Sequence, residues 1–214
     1  PRREVFLYEA ESYDELLDTP IEIGSHETSG FRVDGIDHHL AFLNWPDKLA
    51  GDLRKDTQKI VQKISEFWGG IPYKSYAFIG HFFPKTYGGL EHHNSTAVQY
   101  DPFEVGHLEG YRDFLGLLAH EYFHTWNVKR VRPLELGPFN YTEENYTRMH
   151  WLTEGLTSFV DDLFVFNCDL SDEEHFLKGL TKKIKLYQQT PGRFFDSIEE
   201  ASFDAWIKLY QPHE

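Results

Sequence analysis

Apolar residues recur at two different spacings along this chain, and the change from one to the other divides it. Up to residue 110 the pattern is mixed. Phe31 to Gly35, Leu40 to Leu43, Tyr73 to Phe83 and His92 to Tyr100 are short aromatic or β-branched runs that predict strands, the last two separated by a turn at Tyr87-Gly88-Gly89. Asp47 to Trp68 carries Leu49, Leu53, Ile60, Val61, Ile64 and Phe67 at helical spacing and stops at Gly69-Gly70. Ser12 is placed to cap a short helix through Leu17, ended by Pro20. From Gly110 onward the spacing is helical. Arg112 to Asn127 is apolar almost all round, as a central buried helix is. Tyr146 to Phe166 predicts a second long helix, Asp172 to Tyr187 a third with Ser171 as its cap, and Ser197 to Tyr210 a last one. A Pro/Gly-containing connection covers Lys129 to Tyr141. The pattern predicts an α+β protein with a mixed α/β part over 1–110 and a helical part over 111–214. The two parts form one unit, with a cleft between them.

Composition narrows the function classes. The 214 residues are 40% hydrophobic and 26% charged, an ordinary globular balance. The longest apolar run, Phe114 to Ala119, is far short of the ~20 residues of a membrane span. The net charge of −14 comes without a Lys/Arg-rich stripe, which argues against a nucleic-acid partner; an acidic surface favours approach of a cationic group such as a peptide amine. Cys168 is the single cysteine, so no internal disulfide forms; it reads as a small core residue. The chain opens on Pro1-Arg2-Arg3 without a signal peptide, which reads as a processed or excised piece and leaves cytoplasm and periplasm both open.

The candidate chemistry lies in the most buried segment. His120-Glu121-Tyr122-Phe123-His124 follows the apolar run directly. On a helix, residues four apart share a face, roughly 5–6 Å between Cβ atoms. His120 and His124 can therefore reach one Zn²⁺, with Glu121 next round the helix to approach a metal-bound water. Two imidazoles and a carboxylate among leucines and aromatics must be paired or coordinated, because an isolated buried charge is costly. A catalytic zinc takes a third protein ligand. Glu143 and Glu144 stand at a helix start, where acidic residues complement the helix dipole in solvent. Glu154, in Trp151-Leu152-Thr153-Glu154-Gly155-Leu156, is a carboxylate amid apolar residues and the better third ligand; Gly155 there would admit a neighbouring helix. Asp161, two turns along, is a candidate acceptor for a ligand imidazole N–H, with an ordinary helix-surface carboxylate the competing reading. His38-His39 and His92-His93 are adjacent pairs on strands, pointing to opposite faces, and cannot easily share a metal.

Three motifs in order resemble the M61 glycyl aminopeptidase family, related to the gluzincin metallopeptidases. They are Tyr87-Gly88-Gly89-Leu90-Glu91-His92, His120 through Pro133, and Trp151-Leu152-Thr153-Glu154-Gly155-Leu156-Thr157-Ser158. Ser12 to Glu22 also resembles the start of that family's catalytic domain. The resemblance implies a thermolysin-like zinc metallopeptidase core, with zinc on His120, His124 and Glu154 and Glu121 as general base. It further implies Glu91 as the carboxylate that holds a peptide's free α-amine, and a leaning to Gly and Ala at the N-terminus of the substrate. The family's β-rich and PDZ domains, and a tyrosine that stabilises the oxyanion, are expected outside this segment; Tyr146, Tyr187 and Tyr210 are the candidates within it. A zinc endopeptidase, and a zinc-binding interaction module without catalysis, are the alternative functions.

Overall fold

The computed structural model describes residues 7–209. A short helix, α1 (Tyr13–Leu17), starts at Ser12, whose hydroxyl accepts from the Glu15 N–H as expected. Strand β1 (Glu27–Val33) returns antiparallel as β2 (Ile36–Leu43). Asp34 and Gly35 between them both have positive φ, 51° and 80°, as a two-residue turn of type I′ requires. The segment expected as strand through Gly35 thus ends at Val33. Helix α2 (Leu53–Trp68) begins six residues after Asp47, where the spacing placed its start, because Asp52 caps it by accepting from Lys55 N–H. Three more strands follow: β3 (Ser75–Phe82), β4 (Tyr87–Glu91) and β5 (Ser95–Tyr100). The five form one mixed sheet in the order β1-β2-β3-β5-β4, parallel across β2-β3-β5 and antiparallel at both edges.

Two expectations about β4 and β5 are corrected. Tyr87-Gly88-Gly89 is no turn but the first part of β4, and the actual turn lies at residues 92–94, where His92 N–H donates to Ser95 O. Glycine usually signals a turn; here it serves a close approach described below. His92 and His93 accordingly sit in the turn rather than on a strand.

Helices α2 and α3 (Leu108–Phe123) cover one sheet face. Leu40 and Phe42 of β2, Tyr76, Phe78 and Phe82 of β3, and Val98 and Tyr100 of β5 interdigitate with Ile60, Val61 and Ile64 of α2 and Phe114, Leu115 and Leu118 of α3. This single core draws on residues from both sides of position 110. A buried polar chain pins α3 inside it. Tyr122 Oη lies 2.8 Å from Ser65 Oγ of α2 and 2.6 Å from Tyr73 Oη, which lies 2.7 Å from His38 Nε2 of β2. Burial pushes His38 down to about 4, so it is neutral in this chain and serves structure.

The helical part is more broken than its spacing predicts. The single helix expected over Tyr146 to Phe166 is two, α4 (His150–Thr153) and α5 (Thr157–Asn167), and Tyr146 to Met149 lie outside both. Helix α6 (Glu173–Gln189) is capped by Asp172, which accepts from His175 N–H, rather than by Ser171. The last predicted helix is also two short ones, α7 (Ile198–Phe203) and α8 (Ala205–Lys208); Tyr210 lies outside the described residues, as do Pro1, Arg2 and Arg3. Cys168 is half-buried at the C-terminal end of α5 against the core. No helix among the described residues is long and apolar enough to cross a membrane.

Asp18, at the end of α1, meets three donors: Lys129 Nζ at 2.7 Å, His93 N–H at 2.8 Å and His92 Nδ1 at 3.3 Å. Burial alone would raise its carboxyl, but these partners outweigh it and hold it at about 2. That lies below the ~3.9 of an unfolded aspartate, so its contribution, on the order of 1–2 kcal/mol, is fully present above pH ~4 and lost as pH falls through ~2. Urea unfolding of wild type and Asp18→Asn should therefore differ at pH 7 and converge toward pH 2.5. A difference that stays constant over that range would mean the carboxylate's charge is not what stabilises.

Candidate metal centre

Helix α3 is buried on nearly every side because its sequence is apolar nearly all round, and this carries its polar end into the protein. His124 is the last residue of the helical path, still right-handed at φ −60°. One turn after His120, its ring leaves the helix on the same side, and the two Nε2 atoms stand 3.0 Å apart. Glu154 reaches the same point, its Oε2 3.4 Å from His120 Nε2 and 3.6 Å from His124 Nε2. Of the three acidic candidates for this position, Glu154 is the one brought to the imidazoles; Glu143 lies exposed, accepting from Asn140 Nδ2.

The far nitrogens are equally committed. His120 Nδ1 is 3.1 Å from Asp161 Oδ2, and His124 Nδ1 is 2.7 Å from the backbone O of Asn127. A carbonyl oxygen can only accept, so His124 carries its proton on Nδ1 and turns a lone pair inward. Two imidazole nitrogens 3.0 Å apart beside a carboxylate need a cation between them. The chain alone can supply only a proton. Burial works against charge on His120, yet Asp161 and Glu154 outweigh it and raise the ring to about 10. Burial likewise disfavours ionised Glu154, but the two histidines hold it well below the usual carboxylate range. A metal ion fits the same place. A triangle with sides of 3.0, 3.4 and 3.6 Å has a circumscribed radius of about 1.9 Å, so an ion just off its plane meets all three atoms at the ~2.0–2.1 Å of zinc bonds.

Glu154 sits where it does because the helix breaks around it. Glu154 N–H and Gly155 N–H both reach back to His150 O, at 2.8 and 3.2 Å, and a Cβ on Gly155 would lie 2.3 Å from Trp151 O. The glycine is thus required by its own preceding turn, not by an approaching helix as its spacing suggested. The carbonyls that the break leaves without helical partners are taken by Asn127. Its Nδ2 donates to Leu152 O and Thr153 O, both at 3.2 Å, and to Thr157 Oγ1 at 2.9 Å. One side chain therefore ties the His124 loop to the Glu154 segment. Nothing in the sequence singles out Asn127, because every contact it makes is either to backbone or to the distant turn. His150, four residues before Glu154, is a second residue the sequence reading passed over; burial lowers its ring, and the carboxylates of Glu154 and Glu91 oppose that.

Glu121, next round the helix from His120, turns toward strand β4 beside the histidine pair. It is 4% exposed, its Oε2 has no hydrogen-bond partner among the described residues, and burial pushes it up to about 7. Strand β4 runs over it. A Cβ on Gly89 would lie 2.2 Å from Glu121 Oε1 and 2.4 Å from its Cδ, so only glycine lets the strand pass this close. Two residues on, and so on the same strand face, Glu91 brings its carboxylate to this spot. Glu91, Glu121 and His124 each offer an atom within 4.8 Å of the others. Of the tyrosines considered for the oxyanion, Tyr146 stacks on Phe203 at 4.8 Å between ring centres, and Tyr187 is exposed under Arg193.

Residues 113–214 match the family model of the M61 glycyl aminopeptidases. A crystal structure of an aminopeptidase N family protein from Idiomarina loihiensis is similar to this chain with a TM-score of 0.91 at 33% identity. The match covers 96% of this chain and 36% of that one, so the chain spans about a third of that protein's length. None of the curated proteins compared matches the chain.

Because a metal competes with protons for the inward nitrogens of His120 and His124, affinity for Zn²⁺ should rise with pH from about 5 to 8. Competition against a chelator of known affinity measures it. A flat profile would mean that zinc binds elsewhere.

Proposed function

We propose that this chain, whose residues 113–214 match the family model of the M61 glycyl aminopeptidases, carries the catalytic core of a zinc aminopeptidase acting on peptides with small N-terminal residues, Gly or Ala. His120, His124 and Glu154, whose inward Nε2 and Oε2 atoms lie 3.0 to 3.6 Å apart, would hold the metal. When bound, zinc supplies Lewis-acid polarisation of the scissile carbonyl and lowers the pKa of a water molecule.

The remaining work falls to the chain's own side chains. Glu121 is buried and titrates near neutrality, as a general base operating at that pH requires. Its Oε2, with no hydrogen-bond partner among the described residues, is placed to take the water's proton and hand it to the leaving amine. Asp161 and the backbone of Asn127 hold the two imidazoles in the tautomer that faces inward. Glu91 pairs with the substrate's ammonium group and fixes the bond to be cut one residue away. The observation that carries the aminopeptidase reading is the approach of Glu91 to within 4.8 Å of both Glu121 and His124. A carboxylate that close to a carboxylate base is electrostatically unfavourable until a cation lies against it, and a peptide's α-amine is that cation.

Three measurements on the full-length zinc protein test this. Glu121→Gln should leave zinc content unchanged and lower kcat by at least ~10²-fold, whereas Glu154→Gln should lose the metal. Gly89→Ala, by displacing Glu121, should lower kcat by ~10-fold or more with zinc retained. Wild type should cleave free-amine peptides and leave N-acetylated ones nearly untouched. Comparable cleavage of both would make it an endopeptidase, and zinc binding without any turnover would make it an interaction module.

A further inference from the structure

Helix α1 has no buried residue; Tyr13 meets the Tyr141 ring edge-to-face at 5.2 Å, an exposed contact that leaves the end of the helix to polar partners. What fixes its end is Asp18, whose partners belong to the two segments that frame the site. His92 and the N–H of His93 are the first residues of the β4–β5 turn, immediately after Glu91. Lys129 lies two residues after Asn127, the residue whose carbonyl holds the His124 ring. Arg130 closes the same gap from the other side. Its guanidinium donates to His93 O at 3.0 Å and to Thr125 O at 2.6 Å, and reaches Asn94 Oδ1 at 3.3 Å. Between these anchors Val128 is held at φ 130°, a conformation β-branched residues avoid, which a backbone keeps only when its surroundings impose it.

We propose that Asp18, with Lys129 and Arg130, is a positioning clasp that sets the separation between Glu91 and the metal centre, and with it the register in which a free amine is presented. The inference rests on the aminopeptidase reading above. None of the three clasp side chains is a candidate metal ligand, and Lys129 meets His124 only through its backbone N–H, which donates to His124 O at 3.1 Å. The clasp joins the turn that carries Glu91 to the loop that holds His124 by charge-assisted hydrogen bonds, the stronger class of such contacts. A shift of about an ångström in that separation spares the metal and weakens the amine contact alone.

Glycine hydroxamate and acetohydroxamate separate these effects, because both chelate a metal and only the first carries an α-amine. Calorimetry on the full-length, zinc-loaded wild type should show a preference for glycine hydroxamate that Glu91→Ala abolishes. Asp18→Asn and Lys129→Gln should each cut that preference by about tenfold, with zinc content and acetohydroxamate affinity unchanged, and Asp18→Glu should restore part of it. Lys129→Gln serves if Asp18→Asn does not fold. An unchanged preference in a folded variant, or equal weakening of both ligands, overturns the clasp while leaving the role of Glu91 standing. Absence of any preference in wild type overturns both.

Discussion

Two imidazole nitrogens held 3.0 Å apart constrain everything around them. Neither ring can turn away. Asp161 holds one from behind and the backbone of Asn127 the other, and both rings ride on the end of a helix sealed into the core. The pair favours positive charge between its rings, and four carboxylates stand around it: Glu154 in contact, Asp161 behind, Glu91 and Glu121 beside His124. The acidic surplus of the chain is locally a concentrated field.

Such a field sits uneasily in an apolar interior, and the fold manages it by pinning each contributor with backbone. The Tyr122 hydroxyl chain fixes the helix against α2 and the sheet on the side away from the metal. Asn127 spans the break beside Glu154, and Gly89 lets an edge strand lie directly over Glu121. Polar groups buried in this way are stable only when their partners are complete. Glu121 Oε2 is the exception within the site, a buried oxygen with no hydrogen-bond partner among the described residues.

How far the sequence disclosed this varied with the range of the interaction that decides each feature. The buried helix and the facing of His120 and His124 follow from spacing alone, because both are local consequences of helix geometry. Glu154 was legible as a carboxylate with no local reason to be buried. The break on either side of it was not, since a glycine within a helical run signals tolerance as often as rupture, and the contacts that complete the break come from Asn127. Gly88-Gly89 reads as a turn because glycine is the commonest turn residue; its use here answers to a side chain some thirty positions away. Ser171 and Asp172 are adjacent and both good caps, so only the register of α6 on its neighbours chooses between them.

The sheet order has a consequence for how the molecule comes into being. Its central strands are parallel, β2 to β3 to β5, and a parallel pair closes only after the intervening chain, here helix α2 in the first case, has been carried across. The residues that converge on the candidate metal site are drawn from positions 91 to 161, from edge strand β4 and from the helical segments that follow β5, and they meet only once the sheet exists. A metal ion taken up there would have nothing to organise in the unfolded chain beyond the local histidine pair. It would meet a finished pocket, and its binding energy would add to the native state by mass action rather than steer the search for it.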